Sequence, residues 1–257
     1  MLLCLDVGNS HIYGGIFKNT ELSYQFRYPS KAGCTSDELG IFLKTYLREM
    51  LIDPKEITQI AYCSVVPSLD YSLRSAIVKY FGIDPFVLQA GVKTGLAIKY
   101  KNPTEVGPDR IASAIAASHS FPKKNIIIVD LGSATTFEVI SKNGAFLGGA
   151  ILPGLQMQMR ALNDFTANLP PVRILKPHQV IGQSTTHNIQ SGLYFGHAGA
   201  IKSIIASIVQ EAFENVPPVV IGTGGFAHLY EQEGLFSTIF PDLVLQGLRL
   251  AYEKNMS

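Results

Sequence analysis

The chain has 257 residues, of which 47% are apolar and 16% charged, and its formal net charge is +1. This composition is that of a globular protein with enough apolar surface for a sizeable core. Near-neutral charge, with no run of more than two Lys or Arg residues, argues against the concentrated basic stripe that a nucleic-acid groove needs.

The N-terminus lacks the basic segment of a signal peptide, and Asp6 interrupts its apolar run. No apolar stretch approaches the roughly 20 residues that a membrane span needs. The three cysteines, Cys4, Cys34 and Cys63, lack CxxC spacing, and the six histidines are dispersed. These features predict reduced thiols in a cytoplasmic protein and argue against a zinc or His-based metal site.

The first half of the chain is predicted to begin with three strands and then to alternate helix and strand. Thr35 and Glu38 have the spacing of a capping box, which predicts a helix starting there. Gly82 is predicted to end a second helix. The predicted strands cover residues 2–5, 12–17, 22–27, 60–66 and 85–88, and the predicted helices run from 35 to about 51 and over 68–81.

The second half repeats this pattern after a helix over residues 108–121. Its predicted strands cover 125–130, 135–140, 145–150 and 219–221, and its later helices cover 190–214 and 243–254. In each half, the segment between the first strand and the returning strand begins with Asp-x-Gly. These segments are Asp6-Val7-Gly8-Asn9-Ser10 and Asp130-Leu131-Gly132-Ser133-Ala134, about half the chain apart. The repeat predicts two similar halves whose hairpins face each other across a cleft.

The first hairpin has the residues of a phosphate-binding turn. Gly8 lets the backbone approach a ligand closely, and the following N–H groups can converge on phosphate oxygens. Asn9 and Ser10 add side-chain donors, and Asp6 is a hard oxygen ligand suited to Mg²⁺, directly or through water. An ordinary tight hairpin favours the same residue types, so this motif alone leaves both interpretations open.

The second hairpin strengthens the phosphate-binding interpretation, because two such turns in register are less expected by chance than one. Its residues Gly132 to Thr136 are small or hydroxylated, and Asp130 supplies the carboxylate. A third motif, Gly222-Thr223-Gly224-Gly225, follows a predicted strand and leaves room for an adenine or a ribose. The chain has neither a G-x-G-x-x-G after its first strand nor a G-x-x-x-x-G-K-[ST], which argues against a Rossmann or Walker-type protein.

The segment Gly107-Pro108-Asp109-Arg110 opens a helix rich in alanine. Pro108 suits the first helical position, and Asp109 lies where the helix dipole favours its ionised form. A kinase acting on an alcohol needs such a carboxylate to accept the hydroxyl proton. Asp in a first turn also stabilises a helix without any catalytic role, so the dipole argument supports both interpretations.

Taken together, six ordered motifs resemble those of type III pantothenate kinases, in the group of sugar kinases, actin and heat-shock chaperone ATPases. The resemblance extends from about residue 2 to residue 250. The motifs are Asp6-Val-Gly-Asn-Ser10, Gly107-Pro-Asp-Arg110, Asp130-Leu-Gly-Ser-Ala-Thr135, Gly148-Gly-Ala-Ile-Leu-Pro-Gly154, Gln190-Ser-Gly192 and Thr223-Gly-Gly225.

The resemblance implies an α/β fold of duplicated ribonuclease H-like (actin-like ATPase) domains. Each would be a mixed sheet with flanking helices, with the nucleotide cleft between residues 1–106 and residues 107–257. It further implies ATP-dependent phosphorylation of pantothenate to 4'-phosphopantothenate, the first step of coenzyme A synthesis, by a cytoplasmic homodimer that uses Mg-ATP.

The same resemblance implies roles for individual residues. Asp109 would be the general base, Asp130 the ligand of a monovalent cation (potassium or ammonium), and Asp6 a magnesium ligand. The ATP-binding residues would be Asp6, Val7, Gly8, Asn9, Ser10, His11, Ile12, Tyr13 and Ser133. The pantothenate-binding residues would be Tyr100, Gly107, Pro108, Asp109, Arg110 and Thr185.

Three positions depart from the family pattern. Ser10 and Ser133 stand where Thr is common, which keeps the hydroxyl, and Pro108 replaces an Ala. The alternatives are a non-enzymatic transcription-accessory relative of the same fold and a kinase for another small alcohol. A nucleotide-driven switch of the actin kind usually carries large inserted subdomains, for which 257 residues leave little room.

Overall fold

The computed structural model describes residues 1–256. Its strands, in chain order, are β1 (Leu2–Val7), β2 (His11–Lys18), β3 (Glu21–Pro29), β4 (Gln59–Ser64), β5 (Phe86–Val87), β6 (Ala97–Ile98), β7 (Ile126–Leu131), β8 (Ala134–Ile140), β9 (Ala145–Pro153), β10 (Val219–Thr223) and β11 (Thr238–Ile239). Its α-helices are α1 (Ser36–Glu49), α2 (Pro67–Phe81), α3 (Pro108–Ser120), α4 (Leu155–Asp164), α5 (Thr185–Ser191), α6 (His197–Phe213) and α7 (Leu243–Met256). Each strand predicted from the sequence is present, and β6, β11 and α4 are additional.

The chain forms two compact units that are not consecutive in sequence. The first contains Met1–Gly95, Lys101–Ala116 and the residues from Leu243 onward. The second contains Leu96–Tyr100 and Ala117–Asp242. The division into halves at residues 106 and 107 stays a prediction about domain organisation.

The first unit is built on a five-stranded mixed sheet in the order β3-β2-β1-β4-β5. The three leading strands form an antiparallel meander, and β4 and β5 continue it in parallel with β1. Alternate residues of β1 face a core cluster with α1 and α2, formed by Leu3, Leu5, Val7, Leu39, Leu43, Leu47, Leu69 and Leu73. On the other side, α7 contacts β1 and β4.

Local signals explain where the helices of this unit begin and end. The Glu38 N–H donates to Thr35 Oγ1 at 3.2 Å, and the Thr35 N–H donates to Glu38 Oε2 at 2.7 Å, which completes the predicted capping box. Gly82 ends α2 with a left-handed φ of 68°. Helix α3 packs closely on α7, because a Cβ at Gly247 would collide with the Ala112 carbonyl.

The second unit has a six-stranded sheet in the order β11-β10-β7-β8-β9-β6. Its meander β7-β8-β9, with β10 and β11 parallel to β7, has the topology of the first sheet, and β6 is added in parallel at the edge of β9. The predicted duplication of a mixed sheet is therefore confirmed. The core of this unit includes Ile127, Val129, Phe137, Leu155, Tyr194 and Ile201.

The long helix of the second unit is continuous from Thr185 to Phe213, with a π-helical turn at Gly192–Gly196 between α5 and α6. By length and composition alone it could cross a membrane, but core helices of soluble proteins pass the same test. In this structure, 28% of its most apolar stretch is buried. The sequence, in contrast, led us to expect no apolar stretch that approaches the length of a membrane span. Leu193, Tyr194, Ala198 and Ile201 pack into the core of the unit.

Candidate active site

The first hairpin is a short turn whose backbone is fixed from both sides. The Gly8 N–H donates to the His11 carbonyl at 3.1 Å, and the Ser30 hydroxyl donates to the Gly8 carbonyl at 2.6 Å. Asn9 and Ser10 are exposed, as is His11. The remaining predicted ATP-binding residues, Val7, Ile12 and Tyr13, have buried side chains in β1 and β2.

Asp6 lies at the end of β1, opposite Tyr13 of β2 and Cys63 of β4. The Cys63 thiol donates a hydrogen bond to Asp6 Oδ1 at 3.4 Å. Burial, followed by the nearby charge of Asp109, raises the pKa of Asp6 to about 7, while the Cys63 bond and the charge of Arg27 act in the opposite direction. Asp6 is therefore a carboxyl group whose ionised form needs a cation to stabilise it.

Asp109 is the second residue of α3, after Pro108 in the predicted first position. The Arg110 N–H donates to Asp109 Oδ1 at 2.9 Å, and this bond and the Arg110 charge lower the pKa of Asp109. Burial has a larger effect, so the net pKa of Asp109 is raised. The bond to the Arg110 N–H at the helix start thus acts in the direction that the sequence predicts, and burial outweighs it.

Gly107 is required by the placement of Asp109. A Cβ at Gly107 would collide with the Asp109 carboxylate, which folds back over the backbone before the helix. The Gly-Pro-Asp sequence thus combines a residue without a side chain, a residue suited to the first helical position, and the carboxylate. The structure brings Asp6, Asp109 and Cys63 together within the first unit.

The second hairpin joins β7 to β8 through Gly132 and Ser133, and the Gly132 N–H donates to the Ala134 carbonyl at 3.0 Å. Ser133 is exposed at its tip. The turn lies directly on Gly154 at the start of α4, where a Cβ would collide with the carbonyls of Gly132 and Ser133. This contact gives a physical reason for glycine at the end of the Gly148–Gly154 motif.

The glycine motif after β10 lies beside the same hairpin. Thr223 pairs in register with Asp130 across the parallel strands β10 and β7. Gly224 has a φ of 85°, and a Cβ there would collide with the Asp130 carboxylate. The Phe226 N–H donates to the Leu131 carbonyl at 3.1 Å. These groups lie at the carboxyl ends of two parallel strands, where α/β sheets bind ligands.

Comparison with known proteins shows the family of the chain. A family model for type III pantothenate kinase matches residues 2–207. A type III pantothenate kinase from Legionella pneumophila is 60% identical over 255 residues, which cover 99% of each chain. The chain belongs to the type III pantothenate kinase family.

Two solved structures share the fold at low sequence identity. A Campylobacter jejuni protein assigned to the Baf family of transcriptional activators has a TM-score of 0.62 at 20% identity, covering 99% of this chain and 98% of its own. A Listeria monocytogenes protein assigned as an N-acetylmannosamine kinase has a TM-score of 0.52 at 13% identity, covering 100% of this chain and 99% of its own. The predicted sugar kinase and actin-like ATPase fold is therefore confirmed.

Two residues expected to contact pantothenate in this family lie in the second unit. Tyr100 follows β6, with its ring 6.3 Å from that of Phe146 and next to Gly148. Thr185 begins α5 and is exposed on a groove of about 920 Å³ between α4 and α5. Tyr100 is not among the residues that line this groove.

A kinase of this family uses ATP with a divalent metal, and the residues near Asp6 fit such an ion. Among residues 1–256, no group of three or more His, Cys, Asp and Glu side chains could hold a metal by itself. Mg²⁺ is commonly bound through one or two carboxylates together with substrate phosphates and water. The half-buried carboxyl of Asp6, close to the second negative charge of Asp109, is suited to that role.

Sequence reasoning missed two contributors to this site. Cys63 was predicted only to be a reduced thiol, but it is fully buried and its thiol contacts Asp6. The Gly154 contact with the second hairpin was not predicted either. A signal existed for both: Cys63 lies near the end of the strand parallel to β1, and Gly154 ends a glycine-rich motif.

Proposed function

We propose that this chain transfers the γ-phosphoryl group of Mg-ATP to the terminal hydroxyl of pantothenate. The product would be 4'-phosphopantothenate, the first intermediate of coenzyme A synthesis. The observation that carries the proposal is the pair of half-buried carboxyl groups with raised pKa values, Asp6 and Asp109, at the strand end and helix start that bear the family's motifs. Family membership supplies the substrate pair.

In the proposed reaction, the pantothenate oxygen forms a bond to the γ-phosphorus, and the bond from this phosphorus to the β–γ bridging oxygen breaks. The electron pair of that bond leaves with ADP. Asp109 accepts the hydroxyl proton, and its raised pKa suits a general base better than that of an exposed carboxylate. When bound, Mg²⁺ neutralises phosphate charge, and Asp6 would hold it directly or through water.

The ATP-binding and substrate-binding residues are proposed as the sequence suggested. The hairpin residues Asp6 to Tyr13 and Ser133 would contact ATP, with Val7, Ile12 and Tyr13 contributing backbone groups because their side chains are buried. Tyr100, Gly107, Pro108, Asp109, Arg110 and Thr185 would contact pantothenate. Asp130, beside Gly224, would bind potassium or ammonium.

A cytoplasmic homodimer is proposed for the assembly. The three cysteines are free and buried, which suits a reducing compartment. Only 28% of the most apolar stretch of the helix from Thr185 to Phe213 is buried within the chain. A second copy of the chain would cover the exposed part of that stretch. Sedimentation would then give about twice the monomer mass of 28.0 kDa, and a monomer at micromolar concentration would contradict this assembly.

The direct test is to incubate the purified protein with Mg-ATP, potassium and pantothenate and to detect 4'-phosphopantothenate by mass spectrometry. A panel of other small alcohols serves as the specificity control. Formation of ADP with pantothenate and not with the panel is expected. Phosphorylation of another alcohol but not of pantothenate would overturn the assigned substrate.

A further inference from the structure

A buried histidine lies beneath the second hairpin and connects three elements of the second unit. His197 is the first residue of α6 and is 2% exposed. Its Nε2 lies 3.0 Å from Thr135 Oγ1 of β8, and its Nδ1 lies 2.9 Å from Gln158 Nε2 of α4. No motif of the sequence analysis includes His197, and the proposed reaction does not use it.

The hydrogen-bond partners determine which ring nitrogen carries the proton. Gln158 Nε2 also donates to the Pro153 carbonyl at 2.8 Å, which can only accept, so the Gln158 amide must present its N–H groups here. His197 Nδ1 therefore accepts from Gln158. The proton of the neutral imidazole is then on Nε2 and is donated to Thr135 Oγ1. Burial lowers the pKa of His197, in agreement with a neutral ring.

Both partners of His197 are close to the Gly132-Ser133 turn. Thr135 pairs with Leu131 across the hairpin and is 1% exposed. On the other side, Gln158 holds the carbonyl of Pro153, the residue before Gly154, on which the turn lies. One imidazole thus connects the strand that leaves the turn with the segment that supports it.

The backbone before His197 departs from a regular α-helix. The π-helical turn Gly192–Gly196 immediately precedes it. A π turn inserts an extra residue and shifts the direction of the side chains that follow, and such turns occur frequently at functional sites. Here it precedes the histidine that faces both β8 and α4.

We propose that His197, as its Nε2–H tautomer, is a positioning residue that holds the Gly132-Ser133 turn in the geometry that binds ATP. This inference rests on the proposed function, in which Ser133 contacts ATP. An apolar residue could fill the same space, but it would leave Thr135 Oγ1 and the Gln158 amide without these bonds in a buried site. The effect is therefore expected on ATP binding and not on pantothenate binding.

The test compares His197→Phe, which removes both bonds, with His197→Gln, which can keep an N–H donor toward Thr135. For His197→Phe we expect the KM for ATP to rise about 10-fold, the scale of one lost buried hydrogen bond. The KM for pantothenate should change less than about 2-fold, and His197→Gln should restore much of the loss. His119→Gln, at an exposed histidine, is the matched control and should leave both constants unchanged. Equal changes in both KM values would overturn the proposal.

A double-mutant cycle tests the connection to the turn. Thr135→Val should raise the KM for ATP by a similar factor, and the double variant with His197→Phe should be no worse than either single variant. Independent, multiplying effects would overturn the proposal. Ser133→Ala distinguishes a failure of the proposed ATP contact from a failure of the role of His197. An unchanged KM for ATP in that variant would reject the turn as an ATP contact. A raised value there, with ATP binding unchanged in His197→Phe, would reject only the role of His197.

A spectroscopic measurement decides the tautomer even if His197→Phe does not fold. In the wild-type protein, ¹⁵N chemical shifts of the imidazole at about neutral pH should show a protonated Nε2 and an unprotonated Nδ1. The opposite tautomer, or a doubly protonated ring, would overturn the proposal, because neither can accept from Gln158 while donating to Thr135.

Discussion

The Cys63 thiol donates a hydrogen bond to Asp6 Oδ1 at 3.4 Å, across the parallel pair β1 and β4 and between residues 57 positions apart. Burial and the charge of Asp6 raise the pKa of Cys63 well above its usual range, so the thiol stays protonated and acts as a donor. The bond lowers the pKa of Asp6 against the larger effect of burial. A residue type associated with packing therefore tunes a carboxyl group of the candidate active site.

Replacing Cys63 should shift the pH dependence of ATP use. Without the thiol donor in Cys63→Ala, the pKa of Asp6 rises further above about 7, and less of the carboxyl is ionised at neutral pH. We expect the acidic limb of kcat/KM for ATP to move to higher pH, with wild-type values recovered at the alkaline end. Cys63→Ser, which keeps a donor, should stay close to wild type. An unchanged acidic limb in Cys63→Ala would contradict the assignment.

In the absence of ligand, Asp6→Asn should raise the free energy of unfolding at alkaline pH. The same substitution should lower activity. The folded pKa of Asp6 is raised from 3.8 to about 7, so the folded state binds more protons than the unfolded state between these values. Stability from this group is thus present below the unfolded pKa and is lost as pH rises through about 7. The difference between the pKa values corresponds to at most about 4 kcal/mol.

Denaturant unfolding as a function of pH measures this effect. The free energy of unfolding of Asp6→Asn should exceed that of the wild type at about pH 8, and the two should converge at about pH 4. Saturating Mg-ATP should reduce the advantage, because a bound cation stabilises the wild-type carboxylate. A variant that is less stable than the wild type at both pH values would count against a carboxylate whose ionised form is destabilised at this position.

Asp109→Asn should lose turnover while it retains nucleotide binding. The amide cannot accept the hydroxyl proton, and general-base catalysis typically contributes about 10²- to 10⁴-fold. We expect kcat to fall by about 10²-fold or more, with the Kd for ATP, measured by calorimetry, within about 3-fold of wild type. Asp84→Asn, at an exposed residue paired with Arg74, is the matched control. Full turnover in Asp109→Asn would exclude its role as the base.

Two glycines of the second unit should respond differently to alanine. A Cβ at Gly154 would collide with the carbonyls beneath the hairpin, whereas a Cβ at Gly132 would lie 3.4 Å from Asp130 Oδ1, an ordinary contact. Gly154→Ala should therefore lower both the melting temperature and ATP affinity, by about 1–3 kcal/mol in stability. Gly132→Ala should fold normally and weaken only ATP binding. Equal thermal stability of the two variants would contradict the steric argument.

Cation dependence tests the assignment of Asp130. If Asp130 binds a monovalent cation, replacing potassium with sodium should raise the KM for ATP, and Asp130→Asn should abolish the difference between the two ions. Steady-state kinetics at constant ionic strength, with lithium or choline chloride as the balancing salt, measures both effects. Identical kinetics of the wild-type protein in potassium and sodium would reject this role.

Much of the fold was predictable because its signals are local. Apolar runs such as residues 126–129 predict buried strands, and Thr35, Glu38 and Gly82 mark helix ends through bonds and dihedral angles within a few residues. Helix α4 was missed, because its first turn follows a glycine without a side-chain cap. The short strands β6 and β11, of two residues each, were also missed.

The sequence by itself determined the repeated mixed sheet and the family, and it supplied the candidate carboxylates, since these depend on residue type and order. Only the tertiary structure decided how those residues behave. The pKa of Asp109 is raised because burial outweighs its helix position, and Cys63 reaches Asp6 because two distant strands pair in parallel. Desolvation and contacts across many residues depend on the whole fold, and no short stretch of sequence contains them.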